Sequence, residues 1–157
     1  MTPGPLTVAG SVELAVAERS GFPESRHIGA LVRVDASGAV AESHGDPDAL
    51  IYPRSAAKPL QALAMLRLGA GIDGERLAIA MSSHAGCPEH VALVGAVLAG
   101  AGTTADALRC PPAWPRRPAA IRGVDAPARI TMTCSGKHAG FLAAAAAAGA
   151  DLGVMSG

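Results

Sequence analysis

The chain has 157 residues, about half of them apolar, and its 13 basic and 13 acidic residues balance to zero net charge. That length and apolar content are sufficient for the buried core of a globular protein. The balanced charge and an aromatic content of 3 % exclude an extended basic surface or a stacking platform for nucleic acid. The sequence has neither a signal peptide nor a membrane-length apolar segment, so we predict a cytoplasmic protein that binds no nucleic acid and no membrane.

Three short strands are predicted in the first third of the chain. Segments 12–18 and 27–35 are rich in β-branched residues, and the turn sequence DASG leads into a third strand at 39–43. Short strands that follow one another through turns are typical of an antiparallel meander.

Helices are predicted after Pro59, where the apolar spacing changes to a helical period that ends at Gly69. Segment 73–81, capped by Asp73, and segment 88–102, which begins at a proline, predict two more helices. The strands followed by helices predict an α+β fold, with antiparallel strands packed with helices in a single domain, residues 1–157.

The last third is predicted as a loop and one helix. Segment 102–129 is rich in proline and arginine, which favours a loop. Segment 133–150 predicts a helix, and the six alanines at 143–148 allow close packing against a neighbouring element because their side chains are small.

The two lysines of the chain, Lys58 and Lys137, stand out because the other eleven basic residues are arginines. A guanidinium keeps its charge, whereas a desolvated ammonium can lose its proton. A lysine retained in such a sequence therefore suggests a role that requires a neutral amine.

The segment RSAAKP places a serine three residues before the first lysine. Lys58 can activate the Ser55 hydroxyl if both side chains share one side of a turn. Pro59 disfavours the α conformation at the residue before it, so we expect Ser55 to Lys58 to form a 3₁₀ turn, in which residues three apart eclipse. A capping serine and a solvated lysine are the structural alternative.

Two further polar segments follow apolar runs. Ser83 and His84 come where a predicted helix ends, so the serine can extend a proton relay; helix capping and a surface histidine are the alternative. Cys134, Lys137 and His138 lie at the start of the alanine-rich helix, where they favour an anion or contribute metal ligands; a buried thiol beside exposed cations is the alternative. Three cysteines in all make a disulfide framework improbable.

These segments, taken in order, resemble the asparaginase II family of rhizobial-type L-asparaginases. The resemblance rests on GDP at 45–47, RSAAKPLQAL at 54–63, SSHAG at 82–86, PEH at 88–90 and CSGKHAGFL at 134–142. It implies a serine β-lactamase-like fold and hydrolysis of L-asparagine to aspartate and ammonia with no organic cofactor.

The resemblance also implies roles for individual residues. Ser55 is the implied nucleophile and Lys58 its base, while Ser83 belongs to a second serine–lysine relay. Cys134 and Lys137 correspond to two ligands of a zinc ion. The implied substrate-binding residues are Arg54, His84 and His138.

The family resemblance covers only an N-terminal half. The lysine of the second relay and the remaining zinc ligands are implied to lie in a C-terminal half that this sequence does not contain, so we expect a partial fold, weak zinc binding and little activity from this chain alone. A complete protein is expected to be a homodimer.

Two other functions are compatible with parts of the pattern. A penicillin-recognising serine hydrolase shares the Ser-x-x-Lys spacing, but its SDN and KTG segments are absent from the sequence. A non-catalytic metal-binding or interaction module would use the residues at 134–138 and leave the serines structural.

Overall fold

The computed structural model describes residues 3–150 and residue 152. The chain divides between Pro53 and Arg54 into two compact units, of which the first contains the strands and the second the helices. The α+β prediction is confirmed. The serine β-lactamase-like topology and the single-domain boundary stay predictions.

Two antiparallel hairpins form the first unit. Strand β1 (Val12–Arg19) pairs with β2 (Phe22–Gly29), and β3 (Leu31–Val34) pairs with β4 (Val40–His44). The predicted meander is therefore wrong, because the chain makes two separate two-stranded sheets. The predicted strand at 27–35 is split between β2 and β3.

The tight turn of the first hairpin and the first part of β2 were not predicted from the sequence, because of the turn geometry and the composition of the strand. Ser20 and Gly21 both have positive φ, 51° and 77°, which is the geometry of a tight two-residue hairpin turn. Most of β2 is polar, PESRH, and these side chains are exposed. A strand with little apolar alternation gives a weak signal in sequence.

The second unit consists of helices, preceded by a 3₁₀ turn at Arg54–Ala57. The helices are α1 (Lys58–Arg67), α2 (Gly74–Ala80), α3 (Pro88–Gly100), α4 (Pro118–Ile121) and α5 (Ser135–Ala147). The helix starts predicted near Pro59, at Asp73 and at Pro88 are confirmed. The segment predicted as a loop includes the short helix α4 and a 3₁₀ turn at Ala105–Ala107.

The C-terminal end of α1 and the N-terminal end of α2 differ in their hydrogen bonds. After α1, Gly69 has φ 83°, its N–H donates to Leu66 O, and the Ala70 N–H donates to Met65 O, which together form a Schellman motif. Asp73 is the N-cap residue of α2, but its carboxylate accepts from Arg76 at 2.9 Å instead of capping the helix.

The core lies among α1, α2, α3 and α5. Its buried side chains are mostly aliphatic: Met65, Ile72, Ile79, Ala80, Val94, Val97, Leu98, Leu108, Cys110, Ala139, Leu142, Ala143 and Ala144. The predicted close packing of the alanine-rich helix is confirmed, since one face of α5 is buried. In the described residues, no helix is long and apolar enough to cross a membrane.

Candidate active site

Lys58 and Ser83 meet although 25 residues separate them in the sequence. Lys58 is the first residue of α1, and Ser83 lies in the loop after α2. Lys58 Nζ donates a hydrogen bond of 2.7 Å to Ser83 Oγ. The lysine is half-buried and the serine is exposed. Two residues predicted from different motifs are thus brought into direct contact.

Ser55 lies in the predicted 3₁₀ turn directly before α1 and is exposed. The turn is present at Arg54–Ala57, but Lys58, which was predicted to belong to it, is the first residue of α1. Among the hydrogen bonds of the described residues, however, the Lys58 amine has Ser83 as its partner and none joins it to Ser55. The role of Ser55 as nucleophile stays a prediction.

Arg54 adopts a strained backbone conformation next to Ser55. Its φ is 47°, in the left-handed region that residues with a Cβ avoid, and its side chain is exposed. Unlike Ser20, it lies outside a hairpin turn. Strain of this kind collects at functional sites, where the surrounding structure maintains it.

His84 is buried, with 5 % of its surface exposed, and both of its ring nitrogens are engaged within the protein. Nδ1 accepts from the Gly86 N–H at 3.1 Å, so the neutral ring carries its proton on Nε2. Nε2 then donates to Ser135 Oγ at 2.9 Å, and Ser135 Oγ donates to Ile130 O at 2.7 Å. A direct contact of His84 with substrate stays a prediction.

Burial keeps His84 neutral. Desolvation, together with the charge of the neighbouring His90, lowers the pKa of His84 from 6.5 to about 4. The two rings are 5.4 Å apart at their centroids. His90 Nδ1 is itself buried and has no hydrogen-bond partner among the described residues.

Cys134, Lys137 and His138 occupy the first turn of α5 and the residue before it, and all three are half-buried. Burial, and secondly the charge of Lys137, lowers the pKa of His138 below its usual value. The His138 ring packs edge-on against Phe141, 6.3 Å away.

The residues at the start of α5 supply too few donors for a complete zinc site. Cys134 and Lys137 are two potential ligands, whereas structural zinc has four. In the described part of the chain, no three His, Cys, Asp or Glu residues are grouped so that they could hold a metal ion. We therefore derive no chemical step through zinc, and zinc binding stays a prediction.

Glycines determine how closely α5 approaches its neighbours. A Cβ on Gly136 would collide with the carbonyl oxygen of Ile79, near the end of α2. A Cβ on Gly86 would lie 2.6 Å from Thr131 O. These close approaches bring the loop that carries Ser83 against the start of α5.

Two of these positions, Ser135 and Gly136, were not singled out in the sequence. Both lie inside the CSGKHAG segment, so that motif was the available signal. A serine at a helix start is usually interpreted as a cap. Its contact with His84 spans 51 residues and depends on the tertiary fold.

Comparison with known proteins bears on these motifs. The L-asparaginase II family model matches residues 15–154, a range that includes Ser55, Lys58, Ser83 and the whole of α5. No curated protein matches the chain. Because the family match extends over most of the sequence, the chain belongs to the L-asparaginase II family.

Proposed function

We propose that the protein hydrolyses the side-chain amide of L-asparagine to L-aspartate and ammonia, without an organic cofactor. Membership of the L-asparaginase II family supports this activity. Within the chain, the observation that carries it is the 2.7 Å contact between Lys58 Nζ and Ser83 Oγ. An amine beside a serine hydroxyl is the pair that lysine-activated serine hydrolases require.

In the proposed reaction, Ser55 Oγ attacks the amide carbon and its proton passes to Lys58 Nζ, a step that requires the neutral form of the amine. The C–N bond then breaks, ammonia leaves with the proton returned by Lys58, and aspartate remains bound to Ser55 as an ester. Water, deprotonated in turn by Lys58, hydrolyses the ester and releases aspartate. General-base catalysis of this kind contributes about 10²–10⁴-fold to a rate.

Ser83 serves as the second serine of the proposed relay. It accepts a hydrogen bond from Lys58 and keeps its own hydroxyl hydrogen for another acceptor. Ser83 can therefore pass a proton between the amine and the leaving ammonia or the attacking water. Ser55 lies in the turn that leads into Lys58, and the two are three residues apart, a spacing that makes side chains neighbours on a helical surface.

Arg54 and His138 are the proposed substrate-binding residues. The permanent charge of Arg54 suits the α-carboxylate of asparagine, and its strained backbone directly precedes Ser55. Burial, and secondly the charge of Lys137, lowers the pKa of His138, which favours the neutral ring, a form with one donor and one acceptor for substrate.

The test is the release of aspartate and ammonia, in equal amounts, from L-asparagine. The purified 157-residue chain is assayed alone and after mixing with a separately expressed C-terminal half of a full-length L-asparaginase II. L-glutamine is the comparison substrate. Absence of aspartate in both preparations would overturn the proposal.

The same preparations distinguish the alternatives. Covalent labelling of Ser55 by a fluorescent penicillin would favour a penicillin-recognising hydrolase, and zinc binding without amidase activity would favour a metal-binding module. We also propose that the active protein is cytoplasmic and that it is a homodimer. Sedimentation of the preparation that releases aspartate would test the oligomeric state.

A further inference from the structure

The loop that carries Ser83 is joined to the segment before α5 by a set of hydrogen bonds around one buried histidine. The His84 N–H donates to Thr133 O at 3.0 Å, the ring accepts from Gly86, and the ring donates to Ser135. We call these four residues and Ile130, which accepts from Ser135, the His84–Ser135 network.

Each polar atom at the centre of this network has a single compatible role. Because Nδ1 of His84 accepts from a backbone N–H, only Nε2 can donate, so Ser135 Oγ must accept from the ring. The hydroxyl hydrogen of Ser135 is then directed to Ile130 O. Ser135 has no exposed surface, so water does not replace either partner. Buried, fully satisfied polar networks of this kind determine local geometry.

The network lies next to the Lys58–Ser83 contact. Ser83 directly precedes His84, and its exposed side chain has Lys58 as its hydrogen-bond partner. The position of Ser83 Oγ therefore depends on the backbone of the adjacent histidine, which is held at both its N–H and its ring.

We propose that Ser135 and His84 are positioning residues, which hold Ser83 Oγ at hydrogen-bonding distance from Lys58 Nζ. This rests on the proposed function, in which that pair carries the proton. Neither positioning residue needs to contact the substrate, because both act through the backbone of the loop.

The principal variant is Ser135→Ala, which removes the hydroxyl and leaves the buried His84 Nε2–H without an acceptor. Ser82→Ala is the matched control. It makes the same chemical change on the loop that carries Ser83, and among the described residues the Ser82 hydroxyl makes one long contact, of 3.4 Å, with Ile79 O. Circular dichroism and thermal unfolding of both variants establish that they are folded.

Two substitutions of the histidine separate its two hydrogen bonds. His84→Gln places an amide N–H near the position of Nε2 and can still donate to Ser135. His84→Asn places an amide oxygen near Nδ1 and can still accept from Gly86, but does not reach Ser135. These variants keep the proposal testable even if Ser135→Ala fails to fold.

Turnover is the first measurement, in the preparation that releases aspartate. We expect kcat of Ser135→Ala to fall by roughly ten- to a hundredfold with little change in KM, since small displacements of catalytic groups have effects of that size. Ser82→Ala keeps the wild-type kcat, and His84→Gln retains more activity than His84→Asn. The double variant should have nearly the same kcat as His84→Asn alone, because Ser135 and His84 act through one hydrogen bond.

The second measurement does not require turnover. Lys58 and Lys137 are the only lysines, so mass spectrometry after brief treatment with an amine-acylating reagent gives the labelling rate of Lys58 relative to Lys137. In Ser135→Ala, Ser83 Oγ is no longer held beside Lys58 Nζ, so the amine loses this hydrogen-bond partner. We expect the relative labelling of Lys58 to rise by about threefold or more, as for the loss of one hydrogen bond. Ser82→Ala shows the wild-type ratio.

The two measurements separate the possible failures. If the wild-type preparations release no aspartate, the proposed function fails and the labelling ratio alone decides the positioning role. An unchanged ratio in folded Ser135→Ala, or in His84→Asn where the first variant does not fold, overturns the positioning role whatever the activity. An equal loss of kcat in Ser82→Ala and Ser135→Ala also overturns it.

Discussion

Gly140 of α5 lies directly against the side chain of Met65 of α1. A Cβ on this glycine would lie 2.7 Å from Met65 Sδ and 2.9 Å from Ala80 Cβ, closer than side chains pack. Met65 and Ala80 are both buried, with 1 % of their surface exposed, so neither can move into solvent. The absent side chain is therefore what allows α1, α2 and α5 to share one core.

Gly140→Ala should accordingly destabilise the protein. Overpacking of a dense core costs about 1–3 kcal/mol in the free energy of unfolding, although the thioether of methionine can absorb part of the strain. The matched control is Gly95→Ala in α3, where no atom lies within 4 Å of the added Cβ. That change should stabilise by about 0.5–1 kcal/mol through helix propensity. Urea unfolding measures the free energy of unfolding of both variants. A change of the same sign in both would contradict the packing argument.

The substitution of Arg54 should separate backbone strain from charge. In the left-handed region a residue with a Cβ is disfavoured by about 1–2 kcal/mol, and glycine is not. Because glycine also has a more flexible unfolded chain, we expect Arg54→Gly to be more stable than Arg54→Ala by about 1 kcal/mol. Both variants lose the guanidinium, so both should have a raised KM for asparagine.

Chemical denaturation and steady-state kinetics of the two Arg54 variants provide the check. Equal stabilities would mean that the positive φ of 47° is not maintained in solution. An unchanged KM in both variants would remove Arg54 from the substrate-binding residues.

Lys58→Arg should abolish turnover while leaving the fold intact. The guanidinium keeps the positive charge and can still donate to Ser83 Oγ, but it does not accept a proton at any usable pH. We expect a loss of at least about a hundredfold in kcat, the size of a missing general base. Ser55→Ala should have a similar effect with substrate binding largely retained. Full activity of Lys58→Arg would eliminate lysine as the base.

The sequence pointed to Lys58 and Ser83 one at a time, from the scarcity of lysine and from a helix end. It also predicted a 3₁₀ turn before α1, but not that Lys58 itself lies in α1. The pairing of Lys58 with Ser83 instead of Ser55 depends on how α1 and α2 both pack against α5. Spacing along the chain contains no information about that packing.

The hairpins were also predicted only in part from local sequence signals. The first part of β2, residues 22–26, lacks the apolar alternation that marks a strand and was therefore missed, together with the tight turn at Ser20 and Gly21. Helix ends were predicted more accurately, since proline and glycine act on the backbone locally, as at Pro88 and Gly69.

Zinc should bind this chain weakly. Cys134 and Lys137 provide two donors, and a site with fewer than four protein ligands lacks much of the roughly 10–16 kcal/mol that structural zinc contributes. We expect a dissociation constant above about 1 μM by equilibrium dialysis. Cys134→Ser should weaken binding further. Cys110→Ala is the control, because that buried thiol donates to Arg129 O. Zinc that copurifies tightly in equal amount with the chain would show that other ligands are used.

Acidification should destabilise the protein through His84. Its pKa is about 4 in the folded protein against 6.5 ordinarily, so between these values the unfolded chain binds a proton that the folded chain does not. Stability from this group is therefore complete above pH 6.5 and is lost as the pH falls toward 4, by up to about 3 kcal/mol. The physical cause is burial, reinforced by His90, together with the Gly86 N–H that occupies Nδ1.

The measurement is the free energy of unfolding at intervals between pH 7.5 and 4, for the wild type and for His84→Gln. The carboxylates of Asp35 and Glu42 also have lowered pKa values, because of hydrogen bonds from Ser37 and His44 respectively, and they weaken the protein in acid as well. Subtracting the variant from the wild type removes those contributions. The difference should shrink as the pH falls through 6.5 toward 4, because only in the wild type does the unfolded chain bind a proton that the folded chain does not. A difference that does not change with pH would mean that His84 binds its proton equally in both states and that burial does not lower its pKa.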